Sequence, residues 1–162
     1  MSTFTIHPGS AETLQALERN IGFIPNLAAA IAASPTAITG FVGLQTELRG
    51  STLSGLEREV VGVTVSRFND CAYSLAAHTK FARANGGDDA LVAALVAGDQ
   101  LADERLEALR AFTVALLERR GHVETGLEPE VALEVIAQVA YTTFANYAAD
   151  VSGAAIDDAF AG

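Results

Sequence analysis

Several residue types are scarce in this chain of 162 residues, and each scarcity excludes a class of protein. Tryptophan is absent, and a single cysteine, Cys71, cannot form an internal disulfide. That count excludes a small disulfide-stabilised secreted domain and predicts a reducing, cytoplasmic location. Only 10 Lys and Arg residues stand against 20 Asp and Glu residues, which gives a net charge of −10. A nucleic-acid-binding protein needs a basic surface, so no nucleic-acid partner is predicted.

Long apolar runs and targeting signals are missing as well. No run of about 18 apolar residues occurs, so no membrane-spanning helix and no membrane partner are predicted. The opening residues "MSTFTIHPGS" lack a basic stretch followed by an apolar one, so we expect no signal peptide. With one cysteine and no second histidine within helical reach of His78, neither a metal site nor any other cofactor is predicted.

Apolar residues are abundant, and their arrangement predicts an all-α protein. They make up 50% of the chain, enough for a sizeable core and for some surface buried against a partner subunit. We predict one domain over residues 1–162, built of packed, mostly antiparallel helices, with irregular tails at 1–9 and 152–162. The β-branched stretch "EVVGVTVSRF" would suit a strand, but a lone strand would have no partner, so a helix is preferred.

Capping residues mark where the helices begin. Ser34 followed by Pro35 predicts one helix start, with Gly50 as its stop. Ser54 and Glu57 have the spacing of a capping box at the start of the β-branched helix. Asn69 or Asp70 is predicted to cap the helix that follows.

The stretch "NDCAYSLAAHTKFARANGG" contains the residues with the most chemistry. Cys71, Ser74 and His78 are spaced i, i+3 and i+7, which places them on one face of a helix. A turn at "FND" would fold the preceding helix back, so that Glu59 faces His78. A carboxylate orienting an imidazole, which exchanges a proton with a thiol or hydroxyl, is a proton-relay arrangement.

The same residues have an ordinary structural interpretation. A lone cysteine is most often a small core residue, and a lone histidine on an apolar face is more often packed than catalytic. The helix N-terminus would lower the pKa of the Cys71 thiol and Asp70 would oppose that effect, so the net direction stays open. Arg58, Arg67 and Arg83 lie near the motif, but helix phase predicts a solvated face for most of them.

The segment "LSGLEREVVGVTVSRFNDCAYSLAAHTKFARANG" resembles the signature of the alkylhydroperoxidase D-like proteins in the carboxymuconolactone decarboxylase superfamily. That signature is a glutamate, eleven residues, Cys-x-x-Cys, three residues and a histidine, which fall here on Glu59, Cys71, Ser74 and His78. The segments "GFIPNLAAAIAASPTAITGF", "ERLEALRAFTVALLERRGHV" and "EVIAQVAYTTFANYAADVSG" are similar to other parts of its peroxidase-related branch, so the resemblance covers roughly residues 15–155.

The resemblance implies antiparallel helices that assemble into trimers, hexamers or dimers, and an antioxidant activity on hydroperoxides. In members with both cysteines, the second attacks the peroxide and becomes a sulfenic acid, which the first resolves as a disulfide. The glutamate and histidine help to deprotonate the attacking thiol through a water, and a dithiol reductant restores the pair.

Ser74 departs from this pattern at the attacking position, because a hydroxyl has no sulfur redox chemistry. Three explanations stay open: an engineered replacement, a Cys71 that works alone, or a site turned to other chemistry. The first functional hypothesis is hydroperoxide reduction by a Cys71, His78 and Glu59 site with an external thiol. The second is acid–base catalysis by His78 and Glu59 on a small organic acid or lactone, and the third is a decayed helical oligomer. No arginine cluster for a polyanionic substrate is evident.

Overall fold

The computed structural model describes residues 4–161, so the start of the predicted N-terminal tail lies outside the described residues. Within that range the chain is all-α, as predicted. A short 3₁₀ helix, Pro8–Ser10, precedes eight α-helices: α1 (Ala11–Ile21), α2 (Asn26–Ile31), α3 (Pro35–Arg49), α4 (Gly55–Phe68), α5 (Ala72–Ala84), α6 (Asp89–Ala97), α7 (Glu104–Arg119) and α8 (Pro129–Ser152).

Helix α4 is the central element, and it contacts α5, α6, α7 and α8. Its valines are buried on several faces, which explains why a helix this rich in β-branched residues is stable: tertiary burial outweighs its weak intrinsic propensity. Val60, Val61 and Val65 are completely inaccessible to solvent. The stretch that could have formed a strand is therefore the core helix of the molecule.

The local start signals of α3 and α4 are confirmed. The Ser34 hydroxyl accepts a hydrogen bond from the backbone N–H of Ala37, and Pro35 occupies the first turn of α3. At α4, Ser54 Oγ accepts from the Glu57 N–H at 3.1 Å, and the Glu57 carboxylate accepts from the Ser54 N–H at 2.7 Å. Both cap pairs form between neighbours in sequence, so they do not depend on the rest of the fold.

The predicted cap of α5 is wrong. Asn69 ends α4, and Asp70 adopts a left-handed conformation with φ 54°, so the N-cap position falls to Cys71. The tight reversal uses both polar residues for the turn, and the Asn69 side chain donates to Asn146 on α8 instead. Cys71 therefore lies just before the first turn of α5 rather than within it.

The C-terminal tail contains no helix beyond Ser152, close to the predicted boundary, but it is held against the helices. The buried Asp157 carboxylate accepts hydrogen bonds from the Asn26 N–H and, at 2.6 Å, from the Tyr73 hydroxyl. The Asn26 side chain in turn donates to the Ala155 carbonyl at 3.0 Å. These bonds position the residues around Phe160 beside α2 and α5. Within residues 4–161, no helix is both long and apolar enough to cross a membrane.

Candidate active site

A cavity of about 380 Å³ lies between the N-terminal helices, α4, α5 and α8. Its volume falls in the usual range for small-molecule sites, roughly 300–1,000 Å³. Most of its wall is apolar, and its lining also includes ten polar side chains: Gln45, Arg49, Arg58, Glu59, Tyr73, Ser74, His78, Asn85, Gln138 and Tyr141. An apolar cavity with convergent polar groups is the usual form of an active site.

Glu59 and His78 meet in this cavity, as the predicted turn required. His78 Nδ1 lies 2.7 Å from Glu59 Oε2, and the two side chains are 10% and 16% exposed. With the carboxylate ionised, the shared proton sits on Nδ1, so in the neutral ring the basic lone pair lies on Nε2. Nε2 forms no hydrogen bond with any described residue, which leaves it available to a ligand.

Gly62 makes this arrangement sterically possible. A Cβ atom at that position would lie 2.5 Å from His78 Nδ1 and 2.7 Å from Cε1. Only a glycine allows the imidazole to lie this close to the backbone of α4. The sequence motif did not indicate this requirement, because Gly62 lies in α4 and the imidazole that needs the space lies in α5.

Ser74 lies one turn before His78 on α5 and lines the cavity, although it is only 2% exposed. Its hydroxyl is buried and has no hydrogen-bond partner among the described residues. Buried hydroxyls are normally satisfied, so the unpaired Ser74 hydroxyl is an exception in this core.

Cys71 does not reach the cavity. It is 1% exposed, packs in the core formed by α1, α2, α3 and α8, and its Sγ lies 3.7 Å from the Asn146 carbonyl. Burial raises the pKa of the Cys71 thiol; the nearby Ser74 N–H and hydroxyl oppose that shift, whereas Asp150 reinforces it. The net effect, which the sequence left open, is a pKa of the Cys71 thiol above its ordinary value.

Sequence reasoning missed several cavity residues. Arg58, one of three arginines of which most were expected on a solvated face, is half-buried and lines the cavity. The exposed Arg49 at the end of α3 lines it too. Two arginines from different helices therefore line one cavity, although the sequence showed no arginine cluster. Arg67 and Arg83 are exposed, as predicted. Phe160 was assigned to an irregular tail, yet it also forms part of the wall.

No metal centre is evident in the part of the chain that the structure describes: residues 4–161 contain no group of three or more His, Cys, Asp or Glu side chains placed to hold an ion. His7, to which the sequence assigned no role, accepts a hydrogen bond from the Gly9 N–H through Nδ1 and stabilises the 3₁₀ helix.

Comparison with solved structures identifies the same fold elsewhere. A peroxidase-related protein with an alkylhydroperoxidase AhpD core from Ralstonia eutropha JMP134 matches with a TM-score of 0.85 and 20% identity, covering 98% of this chain and 94% of its own. A peroxidase-related protein from Silicibacter sp. TM1040 matches with a TM-score of 0.82 and 24% identity, covering 96% of this chain and 90% of its own. A variant of the debrominase Bmp8, in complex with 2,3,4-tribromopyrrole, matches with a TM-score of 0.78 and 18% identity, covering 99% of this chain and 95% of its own.

At these identities the solved structures establish the fold alone. No curated protein matches the chain. The sequence model of the carboxymuconolactone decarboxylase family, however, matches residues 32–116, which is just over half of the 162 residues and includes α3, α4, α5 and α6. The chain therefore belongs to the carboxymuconolactone decarboxylase family.

Proposed function

We propose that the protein is an acid–base enzyme in which His78 transfers a proton on a small organic acid or lactone. The observation that supports this best is the 2.7 Å contact between His78 Nδ1 and Glu59 Oε2 on the wall of a largely apolar cavity. Glu59 fixes the ring and its tautomer, so Nε2 is the base. Nε2 takes a proton from the substrate, and the Glu59 carboxylate stabilises the resulting imidazolium. The imidazolium then returns the proton to the substrate.

The separation of Cys71 from the cavity favours this proposal over a thiol mechanism. A thiolate is the reactive form of cysteine, and burial raises the pKa of this thiol. Ser74, and not Cys71, lines the cavity that a hydroperoxide would enter. Debromination, the activity in the name of one structural relative, is a further chemistry that this fold accommodates in another protein.

The test is proton exchange in deuterated water. Small organic acids and unsaturated lactones are incubated with the protein, and deuterium incorporation or loss of carbon dioxide is followed by NMR. We expect His78→Ala to lower the rate by about 10²–10⁴-fold and Glu59→Gln to lower it less. Cys71→Ala should retain the wild-type rate, because the thiol lies outside the cavity. Loss of activity in Cys71→Ala, with His78→Ala unaffected, would overturn the proposal.

Hydroperoxide reduction is the second candidate, and the position of Ser74 favours it. Ser74 lines the cavity one turn from His78 and three residues from Cys71, where the attacking cysteine of the two-cysteine members would stand. The measurement is peroxide consumption with a dithiol reductant. If Ser74→Cys gains activity that the wild type lacks, serine has blocked a peroxidase site. If neither reacts, the acid–base proposal is strengthened.

A further inference from the structure

Arg49 and Arg58 give the cavity a positive wall. The Arg58 guanidinium is held on one side, because Nη1 donates to the Leu53 carbonyl at 2.8 Å. Neither arginine forms an ion pair within residues 4–161, whereas Arg83, Arg105 and Arg110 each pair with a carboxylate. Arginines without a carboxylate partner on a cavity wall are well suited to bind an anion.

Arginines outnumber carboxylates among the described lining residues of the cavity. Arg49 and Arg58 face one acidic lining residue, Glu59. The whole chain carries a net charge of −10, so this local excess of arginine is opposite in sign to the charge of the molecule. A bound carboxylate would balance the excess of arginine.

Another part of the cavity wall is aromatic. Phe160 packs against Phe81, Phe23 and Tyr73, with ring centroids 5.4, 5.9 and 6.0 Å apart. Phe81 also lies edge-on to the His78 imidazole at 6.5 Å. A flat apolar group would contact these rings while remaining beside the base, because aromatic rings favour such stacked and edge-on neighbours.

We propose that the cavity selects a small aromatic or unsaturated monocarboxylate, with its carboxylate on Arg49 and Arg58 and its flat body against Phe81 and Phe160. This inference rests on the proposed function and names the substrate class for the same site: a monoanion, rather than a neutral lactone or a polyanion.

Isothermal titration calorimetry with benzoate and its neutral analogue benzamide tests the inference. We expect benzoate to bind the wild type at least about 10-fold more tightly, since charge-assisted hydrogen bonds to a guanidinium are stronger than neutral ones. Arg58→Met and Arg49→Met should each weaken benzoate about 10-fold and leave benzamide within about twofold. Arg83→Met, a surface arginine outside the cavity, is the matched control and should change neither affinity.

Three results would overturn the inference: no benzoate binding to the wild type at millimolar concentration, equal affinity for benzamide, or arginine variants that bind benzoate like the wild type. Arg49 makes no hydrogen bond to the described residues, so replacing it removes none from the fold. If Arg58→Met unfolds, Arg49→Met therefore still tests the inference. His78→Ala separates the two proposals, because it should retain benzoate binding while losing proton transfer. If it retained both, the acid–base function alone would fail.

Discussion

Cys71 shows how burial determines the chemistry of a single side chain. The thiol is 1% exposed, and its raised pKa means that the folded protein holds the thiol proton more tightly than the unfolded chain does. Its contribution to stability is therefore complete below the pKa of an unfolded cysteine, about 8.5, and is lost as the pH rises above it.

We therefore expect the thiol to resist alkylation in the native state. With iodoacetamide at pH 8, Cys71 should react roughly a hundredfold more slowly in buffer than in concentrated urea, because reaction requires the core to open. Mass spectrometry measures the rate directly, since no other cysteine competes. Equal rates in the two solvents would show that the thiol is accessible, and Cys71 would then again be a candidate nucleophile.

The approach of Glu59 and His78 was predictable from the sequence. The break at "FND" predicts that the two helices fold back beside each other, and a carboxylate in an apolar helix needs a polar partner. Their catalytic role stays a prediction. The cavity position of Arg49 was not predictable, since it depends on how α3 packs against α8. The inaccessibility of Cys71 likewise follows from contacts with α8, 75 residues away in sequence.

At the scale of elements, the close packing of α4 on α5 decides whether the site exists. Gly62→Ala would place a methyl group 2.5 Å from His78 Nδ1, so the imidazole must move. We expect the bond to Glu59 to break and the proposed proton-transfer rate to fall by about 10²-fold or more. NMR of the His78 ring and activity assays measure the two effects.

Gly43→Ala is the matched control, because that glycine lies in α3 and an added Cβ would meet nothing within 4 Å. It should leave activity unchanged and stabilise the protein by about 0.5–1 kcal/mol, as alanine is favoured over glycine in a helix. If Gly62→Ala behaves like this control, the imidazole has more room than the structure provides.

The tail after α8 is secured by one carboxylate. Asp157→Asn replaces two charge-assisted acceptors with an amide, so we expect a loss of about 1–3 kcal/mol, or roughly 3–10 °C in Tm. Hydrogen exchange of residues 154–161 should accelerate in the same variant, because the bonds to Asn26 and Tyr73 weaken. Asp158→Asn, an exposed neighbour, should change neither quantity. A Tm equal to that of Asp158→Asn would show that the tail is held by Phe160 packing alone.

Helices were predictable where their signals are local. The caps of α3 and α4 involve residues three apart, so the sequence identified both starts. The start of α5 was misplaced, because Asn69 and Asp70 are good caps in isolation but are needed here for a reversal in which Asp70 is left-handed. The tail was expected to be irregular, and only the tertiary contacts of Asp157 reveal that it is fixed.

At the scale of the whole molecule, α8 presents an apolar face that the described chain does not cover. Its exposed large side chains are Leu133, Ile136, Phe144, Tyr147 and Val151, the last 73% exposed. The fifteen residues between Glu134 and Asp150 contain no charge. An apolar face of this length on the longest helix is typical of an interface, and a second copy of the chain is the partner we propose for it.

Light scattering at tens of micromolar protein tests that proposal. We expect an oligomer in the wild type and a smaller species when Tyr147→Glu and Val151→Glu are combined, because two carboxylates would be buried without partners. Val96→Glu on α6, an exposed apolar residue outside this face, should leave the mass unchanged. A monomeric wild type would contradict the proposal, and the exposed face would then require another explanation.

Phe160 lies on the cavity wall, which makes it a suitable position for a fluorescent reporter. The chain contains no tryptophan, so Phe160→Trp would introduce the sole indole, at a half-buried wall position beside Phe81. Its emission would respond to anything that displaces water from the cavity or loosens the tail. One substitution would thus convert ligand entry and tail release into a fluorescence signal free of background from any other indole.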